Sequence, residues 1–336
     1  MLKKAITRIG IILAVSAAVL PVSCLPVTDF GTTVYADDYK TLYYDYAVYT
    51  GDVYNNRPDG YGTMEYEDGG SYVGNWSGGQ KNGYGTYTYY DGRWYEGNWV
   101  NGKKSGTGYF KFANGDTYEG SWQNDKMNGY GVYTFTDGRY YQGNYVNGVK
   151  SGQGMFKWTN GDRYDGQWKN DKRNGYGTYY FSDGREYAGN WVNSVKSGNG
   201  TMTYTNGEKY VGQWKNDKKN GSGKYYYRDG KVYNGNWVNG KRSGQGTLTT
   251  KNGDKYVGQW KNDDRNGYGK YYGKDGSYYE GSWANGKMSG KGTLKTPKGV
   301  TYEGEWKNGM MNGRGTLTSA DGTKHTGTFK NGEWVG

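Results

Sequence analysis

Residues 95–117 read YEGNWVNGKKSGTGYFKFANGDT, and residues 118–140 read YEGSWQNDKMNGYGVYTFTDGRY. Laid over each other, the two stretches share a frame of aromatic residues and glycines. Counting the leading tyrosine as position 1, that frame returns every 23 residues at Tyr49, Tyr72, Tyr95, Tyr118, Tyr141, Tyr164, Tyr187, Tyr210, Tyr233, Tyr256, Tyr279 and Tyr302, with His325 in the next place. Position 3 is Gly from Gly51 to Gly327, and position 12 is Gly from Gly60 to Gly336. Position 5 is Trp except at Val53, Tyr145 and Phe329. A fixed period of this length means stacked supersecondary units, each too small to bury its own apolar face. Function is therefore sought in a repeated surface.

Position 20 is Asp or Asn in every complete copy except at Lys298, and position 21 is always Gly. Asp-Gly or Asn-Gly between aromatic runs is a strong hairpin signal, because a type I′ turn needs positive φ at both central residues. The second connection, as in Asn170 to Asn174, reads as a longer polar loop. With no helical period, the reading is all-β: an elongated, twisted antiparallel meander of about thirteen hairpins in one sheet. A two-residue Asp91-Gly92 turn sets Thr88 opposite Tyr95, Thr86 opposite Gly97 and Tyr84 opposite Trp99. Cross-strand aromatic pairs of that kind contribute roughly 0.2–1 kcal/mol each. Tyr84, Trp99, Tyr118, Trp122, Tyr164, Trp168, Tyr210, Trp214, Tyr256 and Trp260 then line an aromatic face, a candidate binding surface. The structural role carries the greater weight for position 5.

Y-x-G-x-W followed by G-x-G at a 23-residue step resembles the MORN (membrane occupation and recognition nexus) repeat. The likeness covers Tyr49 to Gly336, with departures at the ends: Val53, His325 and Phe329. The resemblance implies β-hairpin units joined into a groove-like sheet with a binding or scaffolding role, for which lipid head groups and protein partners are both expected. Choline-binding modules also repeat aromatics and glycines, but with a W-Y-Y cluster and a shorter step.

Composition supports a single extended array at 49–336, preceded by a short lead-in at 37–48. Aliphatic residues are scarce, with Leu42, Leu248, Leu294 and Leu317 the only leucines after residue 36. Such poverty ordinarily signals disorder, but 18% aromatic residues in strict phase supply another kind of core. Residues 1–36 read as a secretory signal peptide. Lys3, Lys4 and Arg8 precede the apolar run 9–20, and Val34-Tyr35-Ala36 suits cleavage near Ala36. On that reading the mature chain lacks cysteine, has no transmembrane span, and is secreted or associated with a bacterial cell surface.

The formal net charge is +11; three of the cations and one acid lie in residues 1–36, leaving about +9. Positions 9 and 10 concentrate it: Lys103, Lys104, Lys126, Lys150, Lys172, Arg173, Lys196, Lys218, Lys219, Lys241, Arg242, Arg265 and Lys287. A meander puts these on one edge, about 10 Å apart per hairpin. That spacing is near the Debye length, so neighbouring turns act together on a polyanion. The plainer reading is that they only solvate turns and discourage aggregation.

Copies also alternate, with QWKNDKRNG at 167–175 and NWVNGKRSG at 236–244. The alternation reads either as a 46-residue unit or as a relic of duplication. Catalysis is not expected. The single histidine, His325, sits at a tyrosine position, which removes His-dependent triads and His-rich metal sites. Acids such as Glu96, Glu119, Asp165, Glu280 and Glu303 recur as a surface pattern. No cofactor or metal is expected. The expected partner is an anionic envelope polymer (teichoic acid, lipid head groups or glycan) or a protein, with nucleic acid disfavoured. Self-association is the alternative function, and a carbohydrate-active enzyme the most distant one.

Overall fold

The computed structural model describes residues 38–336, so the export-signal reading of residues 1–36 lies outside the described residues. Within them the chain forms twenty-seven strands, from Asp38–Tyr44 to Glu333–Trp334. Each strand pairs antiparallel with the next in sequence, giving one open 27-stranded meander. The lead-in is part of it: Asp38–Tyr44 pairs with Ala47–Tyr54 in the first hairpin.

Three contacts repeated along the sheet explain the frame. The position-1 ring lies flat over the paired glycines of positions 3 and 14. At Tyr95, a Cβ on Gly108 would fall 2.3 Å from the hydroxyl oxygen, and one on Gly97 would fall 2.5 Å from the Gly108 Cα. Glycine is therefore demanded by close approach. The Tyr95 hydroxyl donates to the Asn98 carbonyl oxygen (2.9 Å). Trp99 Nε1 donates backwards to the carbonyl oxygen of Gly85 in the preceding unit (3.1 Å), which ties neighbouring hairpins together.

These rings form the core. Tyr95 meets Trp99 edge-on at 5.1 Å and Trp122 of the next unit at 5.4 Å. The same zigzag runs from Tyr49–Trp76 to Tyr302–Phe329. Such pairs add about 0.5–1.5 kcal/mol beyond the area they bury.

The turns correct the expected register. At Asp91-Gly92 the loop has three residues: Tyr89 N–H donates to Arg93 O and Gly92 N–H to Tyr89 O, with only Gly92 at positive φ (83°). This is a type I turn closed by a glycine bulge. Thr88 therefore faces Trp94, Thr86 faces Glu96, Tyr84 faces Asn98, and Trp99 faces Gly83. One residue of slip transfers every side chain to the other face. Tyr84 accordingly stands opposite the core, 52% exposed.

The type I′ turn sits at the other end of each hairpin. Asn101-Gly102 has φ of 49° and 77°, and Asn170-Asp171 has φ of 49° and 62°; Val100 pairs with Lys103, and Lys169 with Lys172. The stretch 170–174 is thus a two-residue turn whose Lys172 and Arg173 already belong to a strand.

The alternation has a structural meaning. Asp116, buried, accepts from the Tyr133 hydroxyl (2.9 Å) and the Thr136 N–H (2.9 Å) of the next hairpin. Asp125 of that next hairpin accepts the Lys104 N–H at the opposite edge (3.0 Å). The same two-ended clamp joins the next two pairs, through Asp162 to Tyr179 with Asp171 to Lys150, and through Glu208 to Tyr225 with Asp217 to Lys196. At the intervening Asp-Gly turns a basic residue pairs within its own turn, as Arg93 does with Asp91 (2.7 Å).

Candidate functional site

The type I′ turns fix where the basic residues go. Strand alternation from the turn sends position 9 outward and position 10 inward. Lys103, Lys126, Lys172, Lys218, Lys241 and Lys287 are exposed at the turn edge. Lys104, Lys150, Arg173, Lys196, Lys219, Arg242 and Arg265 instead fold over the aromatic core. Lys104 Nζ lies 4.6 Å from the Phe110 ring and 4.9 Å from Trp122; Arg242 lies 4.4 Å from Trp260, and Arg265 4.3 Å from Trp283. The expected edge of thirteen cations is therefore two rows with different work.

The inner row stands on rings that attract it and in an interior that opposes its charge. Burial pushes Lys81 down to about 8 and holds Lys104, Lys150, Lys196 and Lys219 below the usual lysine range. Lys81 belongs to this row and escaped the sequence reading. Its signal was present: Met127, Met288 and Met311 occupy the same position, which marks it as half apolar.

The expected aromatic face is the core itself. Trp99, Tyr118, Trp122, Tyr164, Trp168, Tyr210, Trp214, Tyr256 and Trp260 are no more than 6% exposed. A ligand cannot stack on rings already packed edge-on against one another and sealed over glycine backbone. Tyr84 alone of that group faces solvent, on the opposite side.

At the outer edge, two turns bring lysines face to face. Lys169 pairs directly with Lys172, and Lys215 with Lys218, all four exposed. Like charges opposite each other in an antiparallel pair are destabilising. These two turns lie two hairpins apart, about 20 Å along the strand-spacing direction. Among the described residues there is no group of three or more His, Cys, Asp or Glu placed to hold a metal, and no helix long and apolar enough to cross a membrane.

An open sheet of repeated hairpins, held by a tyrosine–tryptophan ladder and offering its turns and one face to solvent, defines a repeat-built binding or scaffold protein. The MORN repeat model matches twelve consecutive segments, from residues 49–71 to residues 302–324. The chain belongs to the MORN repeat family. No match to the sequence is found among curated proteins. Among solved structures, similarity is found to the TCP domain of SAS-4 (dCPAP) of Drosophila melanogaster in complex with a proline-rich motif of Ana2 (16% identity, 46% of this chain and 85% of that one, TM-score 0.30). It extends to the TCP10 domain of Danio rerio CPAP (12% identity, 70% and 94%, TM-score 0.22) and virginiamycin B lyase from Staphylococcus aureus (10% identity, 86% and 93%, TM-score 0.14).

Proposed function

We propose that this chain is a non-catalytic, exported or surface-associated scaffold whose turn edge engages an anionic envelope polymer or lipid head groups. The observation that carries this reading is the juxtaposed pair Lys169/Lys172, repeated at Lys215/Lys218. Folding gains nothing from facing ammonium groups, whereas a polyanion laid across the edge neutralises several at once. Lys103, Lys126, Lys241 and Lys287 extend the same edge. The inner cations take no part, because their charges are engaged by the core.

The test is co-sedimentation of residues 37–336 with teichoic acid and with anionic vesicles across salt concentrations. Binding should weaken steeply with salt and fall at least about tenfold in a Lys169/Lys172/Lys215/Lys218→Gln variant. Binding to neither probe at low salt, in a protein with an intact β-sheet spectrum, would remove the polyanion reading.

A further inference from the structure

The face opposite the core carries a second kind of site. One groove on it, of about 650 Å³, is lined by Tyr84, Tyr109, Tyr130, Glu96 and Glu119 over a floor that includes Gly97, Gly108 and Gly120. Register places Tyr109 between the carboxylates, opposite Glu96 on one strand and Glu119 on the other. Trp94 stacks on Tyr109 at 4.9 Å, and the Tyr84 hydroxyl donates to Glu96 Oε1 at 2.8 Å. The rings are thus held in place, with Tyr84 and Tyr130 still 52% and 53% exposed.

Two other carboxylates of this face, Glu280 and Asp165, show what such a place can hold. Glu280 sits beside Tyr268 and Tyr278, hydrogen-bonded to both hydroxyls, and Lys270 on the adjacent strand fills it with an ammonium at 2.9 Å. Asp165 is filled by Arg163 at 2.8 Å, whose guanidinium lies 4.3 Å from the Tyr180 ring. At Glu96 the strand position that Lys270 occupies is taken by Tyr109 on one side and Thr86 on the other. Among the described residues neither Glu96 nor Glu119 makes an ion pair. Lys111, opposite Trp94 in the next column, reaches neither.

We propose that the Tyr84–Glu96–Tyr109–Glu119–Tyr130 groove binds an organic cation, an alkylammonium or guanidinium group, in the place that Lys270 fills from within at Glu280 and Arg163 at Asp165. Aromatic faces attract such cations electrostatically and carboxylates fix them, while a neutral group of the same shape gains neither. This ligand is opposite in charge to that of the turn edge, and the site lies on a separate face, so either assignment can fail alone.

The test is calorimetric titration of residues 37–336 with tetramethylammonium, lysine amide and arginine amide, with neopentyl alcohol as the neutral control. Saturable binding of at least one cation at one site per chain is expected, with none for the alcohol. Glu96→Gln/Glu119→Gln and Tyr109→Thr should each weaken it at least about tenfold. Lys270→Thr should empty the Glu280 place and raise the stoichiometry towards two. The three cations together separate quaternary, primary and guanidinium preferences. Failure of all three to bind, binding equal to that of the alcohol, or binding unchanged in the Glu96→Gln/Glu119→Gln variant would overturn the assignment. Circular dichroism of each variant separates a lost site from a lost fold.

Discussion

Replacing Lys81 by methionine tests how the inner cations are balanced. The Lys81 ammonium lies 4.4 Å from the Tyr87 ring and 4.7 Å from Trp99, with Tyr72 at 5.5 Å and Tyr66 at 5.9 Å. Burial pushes it down to about 8 from an ordinary 10.5. At roughly 1.4 kcal/mol per pH unit, that gap opposes folding at neutral pH by at most about 3.5 kcal/mol. Ring attraction returns about 0.5–2 kcal/mol, leaving a net cost of at most about 1.5–3 kcal/mol. The sign follows from proton counting. Between pH 8 and 10.5 the unfolded chain holds more protons at this lysine than the folded one, so stability rises with pH. The cost is full below 8 and gone above 10.5. Lys81→Met, a residue the array already carries at Met127, Met288 and Met311, should therefore stabilise the protein at about pH 6.5, with the advantage shrinking towards about pH 9.5. Urea midpoints of the two chains, taken with one probe across that range, give the comparison; a stacked array is not strictly two-state, so differences are compared rather than absolute values. A Lys81→Met chain that is less stable at the acid end of that range, by an amount independent of pH, would refute the reasoning and make the ammonium a net stabiliser.

Other consequences are open to measurement. Gly108→Ala drives a methyl into the Tyr95 ring and should cost about 2–3 kcal/mol or more, whereas Gly102→Ala has open space around it and should cost about 1–2 kcal/mol for its positive φ alone; thermal melts of both chains rank them. Asp116→Ala strips the acceptor from Tyr133 and Thr136 and should cost about 1–3 kcal/mol, seen as faster amide exchange at Thr136 with little change at Ala113. Burial opposes the Asp116 charge, but the bonds from Thr136, Tyr133 and Asn114 outweigh it and hold its carboxyl below the usual range. The stability it supplies is therefore complete above the ordinary aspartate value and lost as pH falls through the lower folded value, so Asp116→Asn should blunt acid unfolding of residues 95–140.

The architecture was legible because spacing and composition agree: Tyr95, Gly97 and Trp99 alternate on one strand and their counterparts return 23 residues on. The faces were less legible, and the reason is local. Asp91-Gly92 suits a two-residue turn and also the end of a three-residue one, and the two differ by a single residue of register. That choice decided whether Tyr84 sat with Trp99 or against it. Asn170-Asp171 concealed the tighter turn because its second residue is not glycine, so Lys172 and Arg173 passed for loop when one points out and the other lies 4.2 Å from Trp191. The groove around Tyr109 left no mark of its own, since it depends on which of several neighbouring strands lacks a lysine.

The paired clamps also constrain how such a chain changes length. Removing one 23-residue unit inside residues 95–278 would leave Asp116 or a counterpart beside a hairpin with Phe156, Met202 or Leu248 at the place of its tyrosine donor, whereas removing two in register restores that donor. Growth and loss by doublets is the conservative path for this gene, and a chain so edited keeps its interior chemistry while shifting the reach between its ends in fixed steps.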